Sequence, residues 1–517
     1  MAEGGQQLDE SKGDEPFDGS VEPGVWRYVR ADKLSVIVDA ESYFELVQQA
    51  MLNARRRIML VGWDFDTRIH LTQGRRWYQR PFKRREYPSR LGSFLLWLSN
   101  NRSDLDINLL KWGLSVFQFA LRGSMAMDVA RMWRKDRITF KFDTRHPVGC
   151  THHQKLGVFD EKLAVCGGID LTVDRWDTRA HLEKDRRRKR PSGRSYRPWH
   201  DITMMMEGEV ADALGDLARS RWKAAGAPEL EDLRPPDHSL WPDSLAVDMT
   251  DVEVGISRTR AEYGGLSRIQ EVQTLMLAQI ASAKRYIYIE NQYFTSRRIA
   301  EAIAKRLQEP DPPEIVIVHA KHAEGWLEQQ AMDYARSDLA RSLREIDHKN
   351  RFSLYVAWTG DTWIYIHAKL MIVDDRILRI GSANLNNRSM GLDSECDMFV
   401  DCDRLHNRGR GFEKTIRDLR CSLLAEHCGV EPEEVGRLLE ETDSMCETIS
   451  RLGQSNSRQL RPFEIPELNE IEQTLSETEL LDPESPEEMF EPFAKRGLFR
   501  KGSILRRARD KFRRIKK

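Results

Sequence analysis

Two segments of the chain, residues 153–170 and 367–384, share one pattern of apolar and polar positions. Each begins with His-x-Lys, continues as an apolar run, passes a charged turn and ends in a second apolar run. Short apolar runs on either side of a charged turn indicate a buried β-hairpin. The pattern therefore predicts two hairpins of the same kind, one in each half of the chain.

The spacing of the polar residues at the start of each hairpin predicts a shared face. Alternate side chains of a strand point the same way, so His153 and Lys155 lie on one face, as do His367 and Lys369. In each half, an imidazole and an ammonium group can therefore reach one ligand.

The centre of each charged turn, Glu161 or Asp375, predicts the register of its hairpin. The expected opposite positions are 153 with 169, 155 with 167, and 367 with 383. Asp170 and Asn384, which follow directly, then return beside the histidines at the open end of each hairpin.

The two segments carry a repeated motif, His-x-Lys-x4-Asp, followed by a glycine pair or its near equivalent and a short polar residue. The first copy has His153, Lys155, Asp160, Gly167, Gly168 and Asp170, and the second has His367, Lys369, Asp374, Gly381, Ser382 and Asn384. One copy alone is a weak signal. Two copies in the same hairpin context predict a single active centre assembled from both halves.

Two imidazoles and two ammonium groups are suited to the cleavage of a phosphate ester. One histidine can attack phosphorus while the other protonates the departing alkoxide. Lys155 and Lys369 would hold the non-bridging oxygens and offset the charge that grows in the transition state. A lysine on the same face as the histidine disfavours a metal cation there, so we expect no metal and no cofactor.

These motifs resemble the phospholipase D superfamily, whose signature is the duplicated HKD motif. Further blocks are similar to its eukaryote-type branch, which cleaves phosphatidylcholine, and they separate the chain from the small nuclease members. The blocks are residues 167–171, 175–177, 198–201, 287–294, 366–369, 381–384, 387–389 and 393–395. The resemblance covers roughly residues 26 to 430.

The resemblance implies a role for each candidate residue. His153 would be the nucleophile that forms a phosphohistidine, and His367 the general acid and then the general base, with water or another alcohol as acceptor. Glu395 matches a carboxylate that orients an imidazole, here that of His367, and we expect Asp177 to serve His153 in the same way. Structural roles are expected for Asp160, Asp374, Gly167, Gly168, Gly381 and Ser382.

The duplication extends beyond the motifs. Residues 54–60 correspond to residues 283–289, and in both a helix should end in basic residues before a buried strand begins. Strands alternating with helices predict an α/β fold, and the resemblance implies two similar lobes about a pseudo-twofold axis with the active site between them. The expected units are an acidic flexible leader (1–25), two lobes (26–235 and 236–430), a helical then acidic extended segment (431–493) and a basic amphipathic tail (494–517).

Composition adds limits to this interpretation. A net charge of -1 over 517 residues predicts no global attraction to nucleic acid, and no nucleic-acid partner is expected. The seven cysteines show no paired spacing, and neither a signal peptide nor an apolar run of 18 residues is found. We therefore expect a cytoplasmic protein, with any membrane contact peripheral.

Two charged segments suggest where such contact would occur. Residues 184–197 are rich in arginine and lysine, which fits either a solvated loop or a rim that attracts anionic headgroups or a phosphate backbone. Residues 494–517 hold twelve lysines and arginines against one aspartate, after a stretch, 463–493, with eleven acidic residues and no basic ones. The tail is typical of an interfacial helix on a membrane; neutralisation by the acidic stretch and nucleic-acid contact are the alternatives.

Together these features predict a phospholipase D that hydrolyses a glycerophospholipid to phosphatidic acid and the free headgroup alcohol, with possible transfer to other alcohols. A cardiolipin-synthase-like phosphatidyltransferase or a nuclease of the same superfamily is the first alternative. An inactive lipid-binding scaffold is the second. The sequence leaves the headgroup preference, the physiological acceptor and the oligomeric state open.

Overall fold

The structure is a computed structural model, and it describes residues 22–72, 87–113, 123–323, 326–453 and 457–466, without the side chains of 326–331. The predicted leader (apart from residues 22–25), most of the acidic stretch and the basic tail lie outside the described residues.

The described residues form strands and helices joined by irregular connections. The strands are β1 (Arg27–Val38), β2 (Arg57–Gly62), β3 (Asp106–Trp112), β4 (Ile138–Asp143), β5 (Leu156–Phe159), β6 (Leu163–Gly167), β7 (Trp199–His200), β8 (Ile202–Glu207), β9 (Met249–Arg260), β10 (Ile269–Gln270), β11 (Tyr286–Asn291), β12 (Glu314–His319), β13 (Phe352–Thr359), β14 (Thr362–Trp363), β15 (Tyr365–Ile366), β16 (Lys369–Val373), β17 (Ile377–Gly381), β18 (Glu395–Asp401) and β19 (Arg458–Pro462). The helices are α1 (Ala40–Asn53), α2 (Leu91–Asn101), α3 (Ser124–Met132), α4 (Glu209–Ala224), α5 (Glu271–Ser282), α6 (Arg297–Leu307), α7 (Trp326–Ile346), α8 (Asn387–Gly391), α9 (Phe412–Cys428), α10 (Pro432–Thr442) and α11 (Met445–Leu452).

The strands repeat one pairing order in the two halves. In the first half the order is β4-β3-β2-β5-β6-β8-β1, with β2, β3 and β4 parallel and the later pairs antiparallel. In the second half it is β13-β12-β11-β16-β17-β18-β9, again with the first three strands parallel. Antiparallel pairing of β1 with β9 joins the halves. The α/β class is thus confirmed, and the pseudo-twofold axis stays a prediction.

The hairpins have the predicted register. Leu156 lies opposite Cys166 in β5–β6, and Leu370 lies opposite Ile380 in β16–β17. Continued to the open ends, these registers place position 153 opposite 169 and 367 opposite 383, as expected. The turns place Asp160, Glu161, Asp374 and Asp375 at positive φ.

The motif aspartates tie each hairpin to the strand beside it. The Asp160 carboxylate accepts the backbone N–H groups of residues 55, 56 and 57 at 2.7 to 2.8 Å. Asp374 accepts those of residues 284, 285 and 286 at 2.7 to 2.9 Å. These N–H groups follow α1 and α5 and open β2 and β11, so the predicted repeat of a helix before a buried strand is confirmed. The basic residues lie in the connections after the helices and not, as expected, at the helix ends.

The described residues pack around three large apolar cores. One core lies between the halves and includes Leu156 and Met204 from the first half and Leu370 and Met398 from the second. A second core packs α1, α2 and α3 on the first half, and a third packs α5, α6 and α7 on the second. The shared core holds the two hairpins against one another, since β6 contacts β17 and β18.

The chain continues to join the second half beyond residue 430. Helices α10 and α11 pack on the shared core, and β19 pairs with β13. The second half therefore extends past the boundary expected from the sequence, because residues up to Pro462 complete its sheet. The other expected boundaries stay predictions.

Candidate active site

Each motif histidine is held by the opposite half of the chain. The backbone N–H of His367 donates to the carbonyl of His200 at 2.8 Å, and that of His153 donates to the carbonyl of Ser394 at 3.0 Å. Strand β15 accordingly pairs in parallel with β7, and His152 forms a parallel bridge with Ser394. The two motifs are thus fixed in one site by backbone pairing between the halves.

The His153 ring is oriented so that one nitrogen is left for chemistry. Its Nδ1 lies 3.0 Å from the carbonyl oxygen of Ser382 and 3.1 Å from Oε2 of Glu395. A carbonyl oxygen can only accept, so Nδ1 carries the hydrogen and Nε2 keeps its lone pair in the neutral ring. Burial, with Lys155 and Lys369, lowers the pKa of His153 well below its usual range, which favours that neutral form.

Two hydroxyl groups hold the Glu395 carboxylate. Ser382 Oγ donates to Oε2 at 2.5 Å and Ser389 Oγ donates to Oε1 at 2.7 Å. Burial raises the pKa of Glu395 to about 8, although the two serines and Lys155 oppose it. Ser382, which stands where the first motif has Gly168, therefore helps to position the partner of His153.

The His367 ring is held by Asp201. Its Nδ1 lies 2.7 Å from Oδ2 of Asp201, and Trp199 packs against the ring at 5.1 Å between centroids. Burial raises the pKa of Asp201 to about 7, although Lys369 opposes it, and burial with Lys369 and Arg175 lowers the pKa of His367 well below its usual range. Lys155 and His153 also lower it, so the halves share one electrostatic site.

Each carboxylate contacts the histidine of the opposite half of the chain. The expectation that Glu395 orients His367 is therefore wrong. Glu395 contacts His153, not His367, because its strand follows Ser394, the residue paired with His153. Asp201 takes the expected place beside His367. The strand pairings show that the two carboxylates occupy equivalent positions. Asp201 lies two residues before Thr203, the partner of Gly167, and Glu395 lies two residues before Asp397, the partner of Gly381. Aligning the blocks 198–201 and 393–395 on their hairpins would have found Asp201.

Asp177 does not contact His153, so its expected role is also wrong. Its carboxylate accepts from His181 at 3.0 Å, from Arg188 at 2.9 Å and from the backbone N–H of Trp199 at 2.9 Å. Position 177 lies ten residues beyond the end of β6, and the chain has turned away from the hairpin there. Asp177 instead belongs to a buried cluster behind His200.

The motif lysines face the site from both halves. Lys155 Nζ donates to the backbone carbonyl of its own histidine at 2.8 Å, and Lys369 Nζ lies 3.2 Å from Oε1 of Gln292. Both side chains are buried. Burial lowers the pKa of Lys369 to about 7.

The polar residues that end the hairpins differ between the halves. Asp170 lies 3.3 Å from Lys155 Nζ and accepts the backbone N–H of Trp63 at 3.1 Å, so it serves the lysine rather than the histidine. Asn384 donates its backbone N–H to Ser389 Oγ at 3.1 Å, and its buried Oδ1 accepts no hydrogen bond from the described residues. The Oδ1 atom of Asn384 is thus available to accept a hydrogen bond from a bound ligand.

The glycines of the motifs allow strands to approach closely. A Cβ atom on Gly167 would collide with Thr203, one on Gly168 with Asp201, and one on Gly381 with Asp397. Asp201 could not reach His367 past a larger residue at position 168. The glycines are therefore required by packing around the site.

The arginine-rich stretch of residues 184–197 is only partly a solvated loop. Arg188 is buried against Asp177, while Arg187 pairs with Asp185 and Arg190 with Asp174. Exposed positions remain at Lys184, Arg186, Lys189 and Arg194. Nothing in the spacing of these arginines marks Arg188 as the one that is buried.

Among the described residues, two overlapping groups near the site have the spacing of metal ligands. One consists of His200, Glu290 and His427. In the other, ligand atoms of Asp39, His181, His200 and Glu426 all lie within 4.8 Å of one another, and all four residues are buried. The same atoms are already joined by hydrogen bonds of 2.9 Å from both imidazoles to Glu426. A metal would require both nitrogens to lose their protons.

Comparisons with known proteins agree with this geometry. A family model described as "Cardiolipin synthase, PLD-like domain" matches residues 276–411, which include the second motif. Phospholipase D A of Dictyostelium discoideum is 24% identical over 80% of this chain and 37% of its own length. Phospholipase D alpha 2 of Oryza sativa is 25% identical over 75% of this chain and 63% of its own length. The chain is thus similar to members of the phospholipase D superfamily.

Other similar proteins extend the comparison. Phospholipase D1 of Saccharomyces cerevisiae is 26% identical over 54% of this chain and 22% of its own length. The chain thus spans between about one fifth and two thirds of these phospholipases. Among solved structures, the phosphatidylserine synthase of Haemophilus influenzae is similar with a TM-score of 0.49 and 13% identity, covering 81% of this chain and 95% of its own.

The raised pKa of Glu395 predicts that the stability of the protein depends on pH. The unfolded carboxyl group ionises near its ordinary value of 4.5 while the folded one keeps its proton to about pH 8. Rising pH therefore favours unfolding across this window. Relative to Glu395→Gln, the wild-type free energy of unfolding should fall by at least about 1.4 kcal/mol, one pKa unit, between pH 5 and 8.

Urea denaturation at several pH values measures this difference. Glu301→Gln, on the exposed side of α6, supplies the baseline for loss of a surface carboxylate. A wild-type stability that stays level or rises against Glu395→Gln would contradict a buried, neutral Glu395.

Proposed function

We propose that the protein is a phospholipase D, which hydrolyses the distal phosphodiester bond of a glycerophospholipid to phosphatidic acid and the free headgroup alcohol. The observation that carries the proposal is the pair of imidazoles, His153 and His367, each held at Nδ1 by a carboxylate from the opposite half. Two buried lysines in the same site supply positive charge for a diester anion.

In the first step, Nε2 of His153 attacks phosphorus and the bond to the headgroup oxygen breaks. His367 in its protonated form donates a proton to that oxygen, so the headgroup leaves as a neutral alcohol. The phosphatidyl group remains on His153 as a phosphohistidine. The hydrogen bond from Nδ1 to Ser382 and Glu395 supports this role, because it directs the lone pair of Nε2 outward.

In the second step, an acceptor hydroxyl group replaces the histidine. Neutral His367 removes the proton of a water molecule or an alcohol, whose oxygen then bonds to phosphorus while the bond to His153 breaks. Water gives phosphatidic acid and an alcohol gives a new phospholipid. Asp201 stabilises the imidazolium that His367 becomes in this step.

The bound substrate completes the charge balance. The pKa of Lys369 and that of His367 are low in the free site because burial and neighbouring cations disfavour another positive charge. A diester anion adds the missing negative charge and raises both, which protonates the acid when the substrate arrives. We propose that no metal or cofactor takes part, since Lys155 and Lys369 already provide the electrostatic stabilisation.

A phospholipid substrate is supported by the named phospholipases D among the relatives. Transfer to an alcohol acceptor, as in a cardiolipin synthase, is the second candidate, because the matching family model carries that name. Both use the same covalent intermediate and differ in the acceptor.

A membrane role is proposed for the tail. No helix in the described part of the chain has an apolar stretch long enough to cross a bilayer. The basic, amphipathic residues 494–517 would therefore place the enzyme at an anionic membrane surface from outside. We propose a reducing, cytoplasmic setting, supported by seven cysteines that are all unpaired.

The lipid assay tests the reaction. Incubation with labelled phosphatidylcholine and a primary alcohol should give phosphatidic acid and the phosphatidylalcohol, because both acceptors compete for one intermediate. His367→Asn, which lacks the acid and base, is the control. Neither product across several lipid compositions, with folded protein, would contradict a phospholipase D.

Trapping the intermediate tests the two histidine roles. Given a labelled phosphatidyl ester of p-nitrophenol, whose leaving group needs no acid, His367→Asn should retain the phosphatidyl group on His153 after quenching, because the base of the second step is missing. Mass spectrometry of the labelled peptide locates the phosphate. Label found on His367 in the variant His153→Asn, and none in His367→Asn, would reverse the roles.

Vesicle flotation tests the tail. The full chain should float with anionic vesicles and a chain ending at Phe493 should not, because twelve cationic residues are removed. Neutral vesicles are the control for charge. Equal flotation of both chains on anionic vesicles would contradict the role of the tail.

A further inference from the structure

A short segment, Trp199–His200–Asp201, holds His367 at two points. The His200 carbonyl accepts the backbone N–H of His367, and the Asp201 carboxylate holds its ring. The position of this segment therefore fixes both the backbone and the ring of His367. A cluster of fully buried charged residues lies directly behind it.

Both nitrogens of the His200 ring contact carboxylates. Nδ1 lies 2.9 Å from Oε1 of Glu426, and Nε2 lies 2.7 Å from Oε2 of Glu290. Both contacts are to carboxylates, so both nitrogens donate and the ring is an imidazolium. Burial alone would lower the pKa of His200, but Glu290, Asp39 and Glu426 outweigh it and raise it well above its usual range.

The neighbours of His200 are held by the same cluster. Asp177 accepts the backbone N–H of Trp199 at 2.9 Å, and Asp39 accepts that of Asp201 at 3.2 Å. The backbone N–H of Asp39 donates in return to the carbonyl of Asp201 at 2.9 Å. Each residue of the segment thus has its own carboxylate partner.

Helix α9 contributes the central members of the cluster. Glu426 accepts from His181 at 2.9 Å as well as from His200, and His427 donates to Glu290 at 2.9 Å. Arg179 donates to the second Glu426 oxygen at 2.5 Å. Residues 412–428 lie beyond the part of the chain that the family model matches, which ends at residue 411.

In the part of the chain that the structure describes, the segment that holds His153 has a smaller support. Ser394 stands at the position of His200, and its Oγ contacts His152 at 2.9 Å. His152 in turn contacts Arg221, which pairs with Asp143. The larger charged cluster therefore supports only the segment that holds His367, the residue to which the acid and base steps are assigned.

We propose that α9 is a positioning element of the active centre, in which Glu426 clamps the His200 imidazolium against Glu290 and so holds Asp201 and His367 in their catalytic geometry. The inference rests on the proposed roles of His153 and His367. Glu426 touches no reacting atom and acts through the backbone and carboxylate of residues 200 and 201.

A substrate with an activated leaving group tests this separately from folding. Bis(p-nitrophenyl) phosphate releases p-nitrophenolate without needing an acid, whereas the second step still needs His367 as base. Glu426→Gln should therefore release about one equivalent of p-nitrophenolate per folded site in a rapid burst at the wild-type rate. The following steady-state rate should fall about 10- to 100-fold with kcat/KM unchanged, because only the second step slows; this loss is part of what acid–base catalysis contributes.

The same kinetics in matched variants complete the test. Asp418→Asn, an exposed change on the same helix, should leave both phases unchanged. Arg179→Gln removes a half-exposed partner of Glu426 and should slow the steady state in the same way, by about threefold or more, even if Glu426→Gln does not fold. His367→Asn should show the same burst followed by a slower steady state.

Three outcomes would overturn the proposal. If the burst rate and the steady-state rate of Glu426→Gln fall together, the substitution damages the whole site. If the steady-state rate is unchanged, α9 has no part in positioning His367. One equivalent of tightly bound divalent metal in the purified protein would assign these imidazoles to a metal site. If the wild-type protein cleaves the nitrophenyl diester but no phospholipid, only the proposed phospholipid substrate is contradicted. The role of α9 can still be tested with the nitrophenyl diester.

Discussion

The active centre depends on backbone pairing between each histidine and the opposite half of the chain. The hydrogen bonds from His367 to His200 and from His153 to Ser394 place each imidazole beside a carboxylate that its own half does not contain. Neither half therefore holds a complete pair of histidine and carboxylate. The shared apolar core supports this pairing, because it packs the two hairpins against each other beside the paired segments.

The pairing explains why a repeated motif gives unequal halves. The geometry is duplicated, but the residues that surround it are not: Asp201 faces His367 while Glu395, braced by Ser382 and Ser389, faces His153. Behind Asp201 the chain places the cluster around His200 and Glu426, whereas two serines brace Glu395 and the buried ion pair of Arg379 with Asp397 lies behind Ser382. Buried charges are costly unless they are paired and hydrogen-bonded. The larger cluster, with three buried imidazoles, lies on the side of His367, the histidine that must change protonation in both steps.

The sequence predicted the local structure of the site well. Strand periodicity and a charged turn determine which residues share a face of a hairpin, so the positions of His153, Lys155, His367 and Lys369 followed from the pattern alone. The glycine pairs marked close approach, and the carboxylates of Asp160 and Asp374 do lie at the turn ends.

The partners of the histidines could not be predicted in the same way. Glu395 follows His367 in the chain, so sequence distance suggested that they belong together. Which strand end meets which histidine is decided by packing of the halves, a long-range property that no local spacing reports. The same holds for Glu426 and His427, which reach the site from a helix about 60 residues beyond the second motif and carry no motif of their own.

The central claim is that two unequal histidines cleave the diester in two displacements at phosphorus. The most direct measurement is the stereochemical course of transfer from a phospholipid with a chiral, isotopically labelled phosphorus to an alcohol acceptor. Each displacement inverts the configuration, so attack by His153 followed by attack of the acceptor predicts net retention. Net inversion would show a single direct displacement and would contradict the account.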